Sequence, residues 1–145
     1  MKNFWKILAA LMVVALPFVV ASCGGDDDED QIPTYTYTWD LNGIDINKVS
    51  EDQQVPVINA RNAVNQQIGA AYKAKGFTVD TENKKFTIQT ETAVKTIDER
   101  VEETFLELKR TTAFQAQASV LPASATILIK RGSTTVINNR SLSNN

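Results

Sequence analysis

Residues 34–43 read TYTYTWDLNG, a strict alternation that ends on a turn dipeptide. Successive side chains of a strand point to opposite faces, so Tyr35, Tyr37, Trp39 and Leu41 share one side and Thr34, Thr36, Thr38 and Asp40 the other. Asn42-Gly43 is a strong hairpin signal, because a type I′ turn needs positive φ at both central residues. On that reading Leu41 faces Ile44 and Trp39 faces Ile46, which gathers the apolar residues of two strands on one side. Aromatics in such a row supply core area before they supply a ligand platform.

Downstream the period changes. In EDQQVPVINARNAVNQQIGAAYKAKG, residues 51–76, Val57, Ala60, Val64, Ile68 and Ala71 recur every three or four positions, as one face of a helix does. Asp52 suits its N-cap, which places Pro56 in the first turn, and Gly76 suits its C-terminal stop. Gly69 marks a place where this helix sits close to the sheet. FTVDTENKKFTIQT, residues 77–90, reads as a hairpin that sets Val79 opposite Phe86, Phe77 opposite Ile88 and Asp80 opposite Lys85. A second helix follows with the stripe Val94, Ile97, Val101, Phe105 and Leu108. FQAQASVL, residues 114–121, then reads as a strand. Two further strands, 125–131 and 134–140, flank Gly132-Ser133, a type II′ turn that pairs Ile129 with Val136.

The expected fold is α+β: a two-layer arrangement with an antiparallel sheet and two helices on one face, in the order ββαββαβββ. The alternative is a ferredoxin-like βαββαβ arrangement with a C-terminal hairpin. One domain is expected over residues 34–140, with a frayed tail at 141–145.

Toward the N-terminus, Lys2 and Lys6 precede an apolar run at 7–20, then Ala21 and Ser22, then Cys23, the one cysteine of the chain. Basic flank, short apolar segment and small residues form a secretory signal, and the apolar run falls short of the roughly 20 residues of a spanning helix. Val20-Ala21-Ser22-Cys23 resembles the lipobox of bacterial lipoproteins. The resemblance implies a signal peptide at 1–22, diacylglycerol on the Cys23 thiol, acylation of the new amino group, and attachment to a membrane through those chains. Asp26, Asp27, Asp28, Glu29 and Asp30 follow Gly24-Gly25. With Gln31–Pro33 they form a solvated, self-repelling tether. The run also resembles the surface-export signal of Bacteroidota-type outer-membrane lipoproteins, which implies an outer-membrane anchor and display at the cell surface.

The tether also accounts for the acidity of the chain. Setting aside those five of its 17 acids, and Lys2 and Lys6 of its 15 bases, leaves 12 acids against 13 bases, a charge near neutrality. No basic cluster is interleaved with aromatics, which argues against nucleic acid as a partner. The chain has no histidine, and so lacks the usual general base and metal ligand at neutral pH. No nucleophile elbow, phosphate loop or Ser-x-x-Lys motif occurs, and Asp98, Glu99, Glu102, Glu103 and Glu107 read as a solvated helix face. Asp40 to Glu51 has the length of an EF-hand loop, but Gly43 stands at its fourth position and Ile44 in a ligand slot, so calcium is not expected. No cofactor and no catalysis are expected.

What remains is binding. Tyr35 and Tyr37, near the tether, and Thr36 and Gln117, in the uncharged polar set of Thr34, Thr38, Thr78, Thr87, Gln89, Gln115 and Ser119, are the candidate ligand residues. The expectation is a non-catalytic domain that holds a glycan or a protein; the alternative is an accessory subunit of an outer-membrane complex. If Cys23 carries the anchor, metabolic labelling with a radioactive fatty acid marks the wild-type chain and leaves Cys23→Ala unmarked; an unmarked wild type removes both the anchor and the address.

Overall fold

The computed structural model describes residues 31–143, so Cys23 and the acids at 26–30 lie outside the described residues. A single folded unit begins at Thr34. It comprises β1 (Thr34–Asn42), a 3-10 turn at Ile46–Lys48, α1 (Glu51–Ala74), β2 (Thr78–Asp80), β3 (Lys85–Gln89), α2 (Val94–Lys109), α3 (Thr112–Ala118), β4 (Thr126–Arg131) and β5 (Thr134–Ser141). The fold is α+β, with one antiparallel sheet in the order β2-β3-β1-β4-β5.

The chain direction follows from these pairings. β2 and β1 both run against β3, so they are parallel to each other with β3 between them; β3 and β4 are likewise parallel across β1. Two split βαβ units therefore interlock, with β5 added at one edge. This is the ferredoxin-like alternative with a C-terminal hairpin, and it replaces the order ββαββαβββ.

Two expected strands are absent from that order. Residues 44–46 do not pair with β1: the chain turns into the 3-10 segment Ile46–Lys48, and Leu41 lies opposite Ile127 and Asn42 opposite Thr126 of β4. Gly43 does have positive φ, 76°, but Asn42 does not, so no type I′ turn forms. The glycine serves a close approach instead. A Cβ there would collide with the backbone carbonyl of Ser124, whose hydroxyl donates to the Gly43 carbonyl at 2.6 Å. The run FQAQASVL is α3 and the turn after it: Phe114, Ala118 and Leu121 are buried at helical spacing, while Ala116 and Val120 are exposed. The hydroxyl of Thr111 caps this helix by accepting from the Phe114 N–H at 3.2 Å.

Other expectations hold in part. β2 and β3 pair Val79 with Phe86 and Asp80 with Lys85. The β4–β5 turn at Gly132-Ser133 sets Arg131 opposite Thr134 and Lys130 opposite Thr135; a bulge then puts Ile137, not Val136, opposite Ile129. Gly69 sits where a Cβ would meet Thr81 Oγ1, which is the close helix–sheet approach. α1 begins one residue before Asp52, with Ser50 at the N-cap, so Pro56 lies in the second turn. Ser141 ends β5 and Leu142 is buried, so both belong to the fold and not to a frayed tail.

One sheet face carries Tyr37, Trp39, Phe86, Ile127, Ile129 and Ile137 against Val64, Ile68 and Tyr72 of α1, Ile97, Val101 and Phe105 of α2, and Phe114 of α3. The rim of this core is polar. Asp98 of α2 accepts from Arg131 Nε at 2.9 Å, from Arg131 Nη2 at 2.8 Å and from the Tyr37 hydroxyl at 2.7 Å. One turn on, Glu102 accepts from Arg140 at 2.7 Å. Two of the helix acids read as a solvated face thus fasten α2 to β4 and β5. Burial pulls the Asp98 carboxyl upward in pKa, but the Arg131 and Tyr37 hydrogen bonds and the arginine charge outweigh it, and the net shift is downward.

Asp98→Asn is expected to cost roughly 1–3 kcal/mol at pH 7, since Arg131 then loses its charged partner. Because the folded carboxyl titrates below its unfolded value of about 3.9, its contribution is fully present above that pH and is lost as pH falls through the folded value. Urea titrations should therefore show a constant gap between wild type and Asp98→Asn from pH 7 to about pH 5, narrowing below about pH 4.

Candidate functional site

The four residues singled out from sequence do not form one surface. Tyr37 is 0% exposed in the core, and Tyr35, partly buried, packs against that core. Thr36 is exposed on the opposite, open face of the sheet, opposite Thr87, which is itself opposite Thr78. Gln117 is on α3 and not on the sheet. The oxygen-rich stretch also disperses: Asp40 is 3.7 Å from Lys84, Asn42 donates to Asn139, and Asp45 caps the 3-10 turn. Among the described residues no cluster of acids and cysteine is placed to hold a metal ion.

The register of β1 builds a different site. Its residues 34–38 pair with β3, whereas residues 38–42 pair with β4. The last bond toward β3 is the Trp39 N–H to the Lys84 carbonyl, 2.9 Å. Beyond it β1 runs on while the β2–β3 connection turns away. α1, packed on β2 through Gly69, roofs the space that opens. The resulting cleft has a volume of about 640 Å³ and is lined by Leu41, Arg61, Asn62, Asn65, Gln66, Thr81, Glu82 and Lys84. That volume falls in the range of roughly 300–1,000 Å³ usual for ligand sites.

Its two walls are stiff. In the β2–β3 turn, Asp80 accepts from the Asn83 backbone N–H at 3.2 Å and from Asn83 Nδ2 at 2.7 Å, and the Lys84 N–H closes on the Thr81 carbonyl at 3.1 Å. Lys84 takes a left-handed φ of 54° to complete it. On the helix wall, Asn65 Oδ1 accepts from the Trp39 indole N–H at 2.8 Å. Only the oxygen of an amide accepts, so this bond fixes the orientation of Asn65 and leaves both Nδ2 hydrogens free. The side chains of Asn62, Gln66, Thr81 and Glu82 make no hydrogen bond or ion pair among the described residues, and neither does the half-buried Arg61.

Titration shifts mark the core and its rim. Burial first, and then Asp98, raises the Tyr37 hydroxyl well above its ordinary value, and burial does the same to Tyr72. Burial, helped by the charge of Arg140, lowers Lys109, whose ammonium donates to the Ser141 carbonyl at 2.9 Å. A second, smaller cavity of about 390 Å³ between α1, α2 and α3 is walled chiefly by alanines, Leu108 and the stems of longer side chains.

The cleft residues escaped the sequence reading because they sit on the solvent side of α1 and in a turn, and their meeting depends on the sheet topology. A signal was present: Asn59, Asn62, Asn65, Gln66 and Gln67 crowd the middle of a helix, where asparagine is a poor helix former.

No family model, no curated protein and no solved structure matches this chain.

The Trp39–Asn65 bond gives a direct stability test. Asn65→Leu orphans a buried indole N–H and is expected to cost about 1–3 kcal/mol, whereas Asn65→Asp keeps an acceptor and restores most of the loss. Urea midpoints of the two variants against wild type check this.

Proposed function

We propose that the chain is a lipid-anchored, cell-surface binding module that holds a glycan in the cleft between α1 and the β2–β3 turn and does no chemistry on it. The observation that carries the reading is the set of unpaired amides on a stiff wall, Asn62, Gln66 and the free Nδ2 of Asn65. Each sugar hydroxyl both donates and accepts, and an amide presents a donor and an acceptor side by side. Leu41 adds a small apolar surface to the same cleft. The open sheet face offers hydroxyls too, but it is a broad face of an antiparallel sheet, whereas ligand sites are concave.

The absence of catalysis rests on what lines the cleft. Glycoside hydrolysis takes a pair of carboxyl groups flanking the bond. Glu82 is the one carboxylate among the lining residues, and the chain has no histidine to supply a base. The address rests on Cys23 and the acidic run after it, which would hold the domain outside the membrane by acyl chains alone. Among the described residues no helix is long and apolar enough to cross a membrane.

Among the described residues all buried core residues fall between Tyr37 and Leu142, and a lipid-free chain starting at Gly24 retains them. Titrated calorimetrically against neutral and acidic oligosaccharides, it should show saturable binding. Asn62→Ala combined with Gln66→Ala should weaken that binding about tenfold, roughly 1.4 kcal/mol, while the urea midpoint rises slightly, since alanine is the better helix former at both positions. Absence of binding at millimolar sugar, or binding indifferent to the double substitution, overturns the reading. Co-purification of one stable protein partner without sugar affinity replaces it with that of an accessory subunit.

A further inference from the structure

The charge in the cleft is not evenly used. Lys84 lies 3.7 Å from Asp40, so its ammonium has a counter-charge. Arg61 has none: among the described residues no carboxylate comes within ion-pair distance of its guanidinium, although the side chain is half-buried. Arg131 and Arg140, half-buried as well, hold a carboxylate at 2.8 Å and 2.7 Å, while the half-buried Arg100 is unpaired like Arg61 but lines neither of the two cavities described above. A partly desolvated cation without a counter-ion favours an anion in the adjoining space.

The form of that anion follows from the donors. A guanidinium presents a planar fork of N–H groups that matches a carboxylate by two parallel bonds. Asn65 lies about one turn from Arg61 along the same helix, with Asn62 and Gln66 a second pair four residues apart beside it, and each amide, a donor and an acceptor at once, matches hydroxyls. Glu82 on the facing turn repels a densely charged ligand and accepts from hydroxyls. One carboxylate set among hydroxyls is the chemistry of a uronic acid. We infer that the cleft takes an acidic saccharide, with the uronate carboxylate on Arg61 and the ring hydroxyls on Asn62, Asn65 and Gln66. This rests on the glycan reading of the same cleft and names the class of sugar.

The test uses the full-length acylated chain in a zwitterionic detergent. It is titrated with uronate oligosaccharides built from galacturonate, glucuronate, mannuronate or guluronate, and with the carboxyl-reduced, neutral counterpart of each. At least one acidic member should bind ten or more times tighter than its reduced twin, and rising salt should shrink that ratio. Arg61→Gln should bring the pair within about twofold by weakening the acid alone, and Arg61→Lys, which keeps the charge and loses the fork, should fall between. Both variants should unfold in urea as the wild type does, since Arg61 makes no internal bond. Equal affinity for acid and neutral twin overturns the uronate assignment while the glycan reading stands. A preference for acid that survives Arg61→Gln also overturns it, as does a sulfated, carboxyl-free sugar that outcompetes the uronates. Failure of every acidic and every neutral member to bind overturns both readings.

Discussion

Phe86 lies between two tyrosine rings, Tyr72 at 3.9 Å and Tyr37 at 5.2 Å between centroids, both within 9° of parallel, and Phe77 meets all three edge-on. That stack joins β3, α1 and β1 at one point. Each tyrosine then uses its hydroxyl on the same helix: Tyr37 donates to Asp98, and Tyr72 to the Val101 carbonyl at 2.8 Å. Asp98 and Val101 are three residues apart on α2, so two buried hydroxyls fix both its height and its rotation. A hydroxyl in such a position must be bonded or it destabilises the fold, which makes the arrangement specific as well as apolar. With α2 so held, Asp98 and Glu102 reach Arg131 and Arg140, and the added edge strand β5 is tied into the layer above it.

The cleft is a consequence of the same packing. Phe86 pairs with Val79 on one side and Tyr37 on the other, which sets β3 against the first half of β1 only. The second half of β1 belongs to β4. A central strand that changes partners midway must leave a gap beside whichever neighbour ends first, and here α1 and the β2–β3 turn close over it. Trp39 stands at the change: its N–H ends the ladder toward β3, its indole holds Asn65, and its ring packs on Phe86 at 5.9 Å. The wall of the cleft is thereby built on the aromatic core and not on a loose loop.

What was legible in the sequence follows the range of the interactions. The β1 alternation, the stripes of α1 and α2 and the Val79–Phe86 register are local patterns read against a core on one side, and they stand. The Asn42-Gly43 hairpin failed because Gly43 is drawn into a close contact with Ser124, about 80 residues downstream, a partner no local pattern reveals. The strand at 114–121 failed through degeneracy: Phe114 and Ala118 fit a period of two and a period of four alike. Leu121 and the cap at Thr111 decide for the helix. Tyr72, at the centre of the core, lay beyond the stripe traced as far as Ala71. The β5 bulge answers to Ile137 filling the core opposite Ile129, which is again tertiary.

The cleft was illegible for the same reason, yet its residues differ in one respect from the polar groups that fasten the helices to the sheet. Asp98, Arg131, Glu102, Arg140, Tyr37, Tyr72, and Trp39 with Asn65 all end on one another or on backbone. On the cleft wall, Asn62, Gln66 and Arg61 end on nothing within the described residues. Asparagine in mid-helix costs about 0.5–0.7 kcal/mol relative to alanine, and Asn62 recovers none of that by any bond to the fold. A residue that weakens its own helix and ties down no neighbour does nothing for stability, and its position beside an unpaired guanidinium in a walled cleft gives it a use that stability does not.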